Sequence, residues 1–197
     1  RSVMKETPLE DLKVYIAGPV NFQVITLFKQ FGFVGTNDLM DAHVCVFTGG
    51  SDIDTDLYGE KPIPECGWFN EKRDEHEVRV YHSCVEMDIP MVGICRGAQL
   101  LNVMNGGKLW QNVDGHRRDH EAFDLINEKV ITVTSTHHQM MRPAETAEIL
   151  MVASRDGKPA SLCSVKQAQG VNHKVGPKEV DPEVLWYEET QSLCVQF

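Results

Sequence analysis

An α/β fold on a mostly parallel sheet is what this sequence predicts, and three observations predict it. Short apolar runs alternate with stretches whose apolar residues recur at helical spacing, as in strand–helix–strand units. One such run, Met91–Ile94, leads straight into a Gly-x-Cys-x-Gly turn and then an amphipathic stretch. The chain has 197 residues, 42% of them apolar and 24% charged. That suits one domain whose single core buries about 70% of the unfolded surface.

Leu12–Ala17 (LKVYIA) reads as the first strand, and Val24, Leu27, Phe28 and Phe31 then share one face of a helix-like stretch. Ala42–Phe47 (AHVCVF) is a second buried strand running into Thr48-Gly49-Gly50. Residues 51–70 are rich in Asp, Pro and Gly and read as an irregular loop. A charged helix is expected from Glu71, with Val78, Tyr81 and Val85 at helical spacing. Pro90 restarts the chain before the strand Met91–Ile94. The helix Gly97–Met104 follows, with Asn105-Gly106-Gly107 as its stop. Beyond Gly107 the pattern is β-like over 108–113, 129–134, 148–153, 184–187 and 193–197, and residues 155–182 read as a loop or poorly ordered excursion. Arg1-Ser2-Val3 ahead of Met4 looks like a cloning remnant.

A formal net charge of −10 repels phosphate backbones, so no nucleic-acid partner is expected. No apolar run reaches the length of a membrane span, and no signal-peptide pattern is visible. The cysteines at 45, 66, 84, 95, 163 and 194 lack metal or C-x-x-C spacing. Reduced thiols and a cytoplasmic compartment are therefore expected.

Gly93-Ile94-Cys95-Arg96-Gly97 carries the chemistry. Flanking glycines permit a tight strand-to-helix turn that lifts a nucleophile out of the sheet. Cys95 then stands at a helix N-terminus, where the dipole and free N–H groups favour the thiolate. The Arg96 N–H would face a developing oxyanion. The alternative is a cysteine that is merely buried after a strand.

GICRGAQLLNVMNGGKLWQNV at 93–113 resembles the nucleophile segment of class I glutamine amidotransferase-like proteins, and more narrowly their peptidase C26 (γ-glutamyl hydrolase) branch. FTGGSDIDTDLYGE at 47–60, KRDEHEV at 72–78, GHRRDH at 115–120 and STHHQ at 135–139 are similar to that branch in order and spacing. The resemblance covers residues 12 to 197. It implies a three-layer, flavodoxin-like fold with helices flanking the sheet, one domain over 1–197, and Cys95 as nucleophile toward a γ-glutamyl amide. It also implies that the Gly50 N–H joins that of Arg96 in an oxyanion hole. Gln99, one turn after Cys95, would help hold the glutamyl group, or it is simply a polar helix residue. His137 and His138 would shape the glutamate pocket, or they lie on a surface turn.

Such a thiol hydrolase also needs a general acid/base. The resemblance places it on a His-Pro-Glu segment after a strand like LCVQF at 193–197, so the polypeptide is expected to continue past Phe197. If it did not, His137 or His138 would have to substitute, or the protein would be a non-catalytic binding module. No metal or organic cofactor is expected. His116 and His120 have the spacing for a metal on a helix, but the run Arg117-Arg118-Asp119 after Gly115 suggests a loop. Asp52, Asp54 and Asp56 imitate the opening of a calcium loop, yet Leu57 and Ile63 stand where it needs Gly and Glu. The expected partners are a small γ-glutamyl substrate and, if the protein is a glutaminase, a separate synthetase or ligase chain. Activity on glutamine against larger γ-glutamyl amides discriminates the two.

Overall fold

The computed structural model describes residues 12–113, 116–160, 168–169 and 180–197. Residues 1–3, expected to be a cloning remnant, and most of the 155–182 segment lie outside the described residues.

In chain order the elements are β1 (Lys13–Ala17), α1 (Phe22–Lys29), β2 (Val34–Thr36), β3 (Val44–Phe47), α2 (Glu71–Glu86), β4 (Met91–Ile94) and α3 (Arg96–Met104). The second half holds β5 (Lys108–Trp110), β6 (Asn112–Val113), β7 (His120–Asp124), β8 (Lys129–Val133), β9 (Met140–Arg142) and β10 (Glu148–Arg155). It ends with β11 (Lys158–Pro159), β12 (Ala168–Gln169), β13 (Pro182–Tyr187) and β14 (Ser192–Val195). The main sheet runs β2-β1-β3-β4-β14-β13-β10-β7-β8, with β11 paired to β10. From β2 to β14 the pairs are parallel, and from β14 to β8 they are antiparallel.

The parallel half is buried on both faces, which is why its strands read as continuous apolar runs. Val14, Val44 and Val46 pack with Val24 of α1 and, at its margin, Ile16, Phe28, Val92 and Ile94. Ala17, Cys45, Phe47 and Met91, one residue out of phase, face Val80, Tyr81 and Cys84 of α2 and Leu100 and Leu101 of α3. Helices therefore cover both faces, and the three-layer α/β arrangement holds. An apolar cleft of about 460 Å³ opens beside α1, lined by Phe28, Phe31, Phe33, Ile94 and Val195 among others.

Local chemistry explains the element bounds. Asn21 caps α1 by accepting from the Gln23 and Val24 N–H groups, and Asn70 caps α2 by accepting from Arg73 N–H. At the end of α3, Gly106 takes φ 88°, a left-handed stop.

Several expectations need correction. The strand at 42–47 is third in the chain, because the short edge strand β2 precedes it. β7 and β9 are additional strands. Phe31 lies past the end of α1 and is exposed, as is Val85 on α2. The buried stripe of α2 is instead Asp74, Glu77, Val80, Tyr81 and Cys84, two of them acids. Among the described residues, no helix is long and apolar enough to cross a membrane.

Candidate active site

β4 delivers the chain to Cys95, whose backbone takes φ 54° and ψ −109°. A non-glycine residue pays steric strain in that region, so its surroundings must hold it there. The Cys95 N–H donates to the Val195 carbonyl at 2.8 Å, and the Cys95 carbonyl accepts the first α3 bond from Gln99 N–H at 3.1 Å. A Cβ on Gly93 would stand 2.4 Å from the Gly97 carbonyl oxygen, and one on Gly97 would stand 2.1 Å from that of Phe47. Both glycines of the motif are thus required for strand, turn and helix to close up.

The thiol departs from the sequence expectation. Burial raises the Cys95 pKa above its ordinary 9.0, the Arg96 N–H works against this, and the Asp52 charge adds to it. Desolvation outweighs what the backbone N–H provides, so the resting group is the protonated thiol rather than a favoured thiolate. A base must therefore take its proton.

Cys95 opens into a cleft of about 250 Å³ whose lining includes Gly49, Gly50, Asp52, Arg96, Gln99, His137 and His138. Cys95 and the expected Gly50, Arg96, Gln99, His137 and His138 thus lie at one cleft, at the carboxyl ends of β3 and β4, where open α/β sheets place their ligands. A Cβ on Gly49 would come 3.7 Å from that of Cys95. The Gly49–Gly50 turn is held from behind by Arg73, whose Nη2 donates to the carbonyls of Thr48 (3.0 Å) and Gly49 (3.1 Å).

Arg73 Nε donates to Glu77 Oε1 at 2.7 Å, and the other Glu77 oxygen accepts from Arg96 Nη1. Arg96 Nη2 donates to Asp74, whose second oxygen accepts the Asp54 N–H at 3.0 Å. Burial raises the Asp74 pKa while Arg96 pulls it down. Sequence reasoning misses Asp74 and Glu77, which resemble any charged pair on a solvated helix. Their signal was spacing: both fall on the face that carries Tyr81 and Cys84.

Gln99 is buried in the cleft wall, its Nε2 donating to Gln139 O at 3.2 Å and to Gln196 Oε1 at 3.4 Å. Its amide nitrogen thus ties the 137–139 loop to the end of β14. His137 is buried rather than on a surface turn, and desolvation first, then the nearby His116, lowers its pKa to about 3, against the pull of its Gln139 carbonyl contact. It is a neutral ring. His138 Nε2 lies 3.1 Å from Asp52 Oδ1, and Asp52 Oδ2 accepts the Gly67 N–H at 2.6 Å. Asp54 accepts from Asp56 N–H in a short 3-10 turn, a role separate from that of Asp52. His116 and His120 are not on a helix, since His120 opens β7, but their rings meet at 4.8 Å.

The peptidase C26 family model matches residues 36–138, just over half of the chain. YvdE of Lactococcus lactis, described as glutamine amidotransferase-like, is 43% identical over 68 residues, or 34% of this chain and 29% of that protein. Rv2859c of Mycobacterium tuberculosis, described as a glutamine amidotransferase, is 30% identical over 135 residues, covering 58% of this chain and 44% of that one. The chain thus spans less than half the length of these curated relatives. A glutamine amidotransferase structure from Thermotoga maritima shares the fold, with TM-score 0.60 and 13% identity over 95% of this chain and 75% of that one.

Proposed function

Since this chain belongs to the peptidase C26 family, we propose that it forms one glutamine amidotransferase-like domain that hydrolyses γ-glutamyl amides through a thioester on Cys95. The observation that carries this reading is the positive-φ Cys95 backbone at the start of α3, wedged between Gly93 and Gly97 and facing the cleft. A residue held in such a conformation by its neighbours is expected where geometry serves chemistry.

In the mechanism, a base removes the Cys95 proton and the sulfur bonds to the γ-carbonyl carbon. The N–H groups of Gly50 and Arg96 would stabilise the tetrahedral oxyanion, each contributing about 3 kcal/mol in the transition state. The C–N bond then breaks as the leaving amine takes a proton. Water, deprotonated by the same base, cleaves the thioester to glutamate and regenerates the thiol. The neutral His137 and the amide of Gln99 line the cleft where the glutamyl group would lie.

The resemblance puts the base on a His-Pro-Glu segment after β14. Cys95 N–H donates to Val195 O, so the end of β14 lies against the nucleophile turn. His138 is a second candidate, because it shares the cleft and has Asp52 as a carboxylate partner. Replacing His138 by Gln separates the two: hydrolysis persists if the base lies elsewhere.

The test is labelling with 6-diazo-5-oxonorleucine followed by intact mass, alongside glutamate release from glutamine and from larger γ-glutamyl amides. A single adduct absent from Cys95→Ala is expected, with the larger amides hydrolysed faster. No Cys95-dependent adduct would overturn the hydrolase reading in favour of a binding module. Activity confined to glutamine would favour a glutaminase serving a separate synthetase, a reading supported by relatives described as glutamine amidotransferases.

A further inference from the structure

Three segments bring polar groups into a buried cluster that shares only His137 with the Cys95 cleft. His116 comes from the loop before β7, His137 from the loop after β8, and Glu183 from β13. All three are at least 95% buried. Hydrogen bonds fix which nitrogen of each ring points outward. His116 Nε2 faces Asp181 Oδ2 at 3.0 Å, and His137 Nδ1 faces the Gln139 carbonyl at 2.7 Å. Both partners are acceptors, so those nitrogens are the donors, and His116 Nδ1 and His137 Nε2 are the ring nitrogens left to face inward.

Those two nitrogens have no hydrogen-bond partner among the described residues, and neither has Glu183 Oε2. The other Glu183 oxygen accepts from His120 Nε2 at 2.6 Å. One ligand atom from each of His116, His137 and Glu183 lies within 4.8 Å of the others, and His116 Nδ1 stands 3.5 Å from Glu183 Oε1. Buried polar atoms without hydrogen-bond partners are costly, and an ion seated between them would satisfy all three.

We propose that His116, His137 and Glu183 form a binding site for a divalent metal ion, with zinc(II) the best match to two imidazoles and a carboxylate. Three such ligands leave a fourth position of a tetrahedral zinc for water. Zinc bonds of about 2.0–2.2 Å put ligand atoms roughly 3.3 Å apart, so the cluster closes slightly on binding. The outer contacts are those of an established metal ligand set: Asp181 behind His116, the Gln139 carbonyl behind His137, and His120 behind Glu183. His116 and His120 do not share a helix, since His120 opens β7. His120 serves behind a ligand, and the true partners lie far away in sequence.

The test needs no substrate. Metal content of the purified protein is measured as isolated and after chelation, and the chelated protein is titrated with Zn²⁺ and Co²⁺. Stoichiometric binding is expected, with the intense visible spectrum of tetrahedral cobalt and no thiolate-to-cobalt charge-transfer band. Asp181→Asn should weaken binding about 10-fold, and Glu183→Gln or His137→Gln more than that. If unmutated protein binds neither ion, the proposal is overturned whatever the variants do. It is equally overturned by a cobalt spectrum with a thiolate band that Cys95→Ala or Cys66→Ala removes and Glu183→Gln leaves unchanged.

Discussion

Glu77 and Arg96 form an ion pair directly behind the nucleophile turn, with side-chain exposures of 0% and 1%. The pair matters because Glu77 also holds Arg73, and Arg73 holds the carbonyls of Thr48 and Gly49. One carboxylate on α2 thus ties both halves of the expected oxyanion hole, the Gly50 turn and the start of α3.

Glu77→Ala should therefore cost stability and activity together. Among the described residues it leaves the buried Arg96 paired with Asp74 alone and removes a partner from Arg73, and breaking a buried pair costs about 3–5 kcal/mol. Urea unfolding should show that loss in the midpoint. Cys95 labelling should slow even under conditions where the variant is fully folded. Undiminished labelling in a destabilised variant would make the network a matter of folding alone.

The glycines give a sharper steric prediction. A Cβ at Gly97 would press on the Phe47 backbone, and neither side yields without parting α3 from β3. Gly97→Ala should cost ~3 kcal/mol or more, the upper end for overpacking, and abolish labelling. Gly106 has φ 88° with nothing within 4 Å of an added Cβ. Gly106→Ala should cost about 1–2 kcal/mol for the left-handed backbone and leave labelling intact. Equal losses in the two variants would contradict the steric argument.

What the sequence made legible follows from physics. β1, β3 and β4 are buried on both faces and so read as apolar runs, and the Cys95 turn announces itself by two glycines that nothing else could replace. β2 is a three-residue edge strand, and β7 buries only Ala122 among its own residues, so neither carries a pattern long enough to detect. Asp74 and Glu77 were hidden because buried acids look like surface acids until their arginines are in place. The cluster of His116, His137 and Glu183 was hidden because its members meet only through the fold.

Gln99 distinguishes positioning from substrate contact. Gln99→Leu keeps the volume and removes an amide whose donors reach Gln139 and Gln196. Losing those bonds should cost about 1–2 kcal/mol. If the side chain also holds the glutamyl group, KM should rise about 10-fold with kcat nearly unchanged, the mark of lost uniform binding. A fall in kcat alone, with KM unaltered, would assign Gln99 to loop positioning only.

The thiol itself supplies the pH prediction. Burial raises the Cys95 pKa above 9.0, helped by the Asp52 charge and opposed by the Arg96 N–H. In the folded state the proton is therefore held to higher pH than in the unfolded chain. The stability this provides is full below the ordinary thiol range and lost as pH rises through the raised value. Alkylation by iodoacetamide follows the thiolate, so its rate should keep climbing past the pH at which a free cysteine levels off. Asp52→Asn removes a negative charge that disfavours the thiolate, and the midpoint should move to lower pH without reaching the range of an activated cysteine, because desolvation remains. A midpoint already below the ordinary thiol range in the unmutated protein would mean that the α3 N-terminus outweighs burial, and that Cys95 rests as the thiolate before any base acts on it.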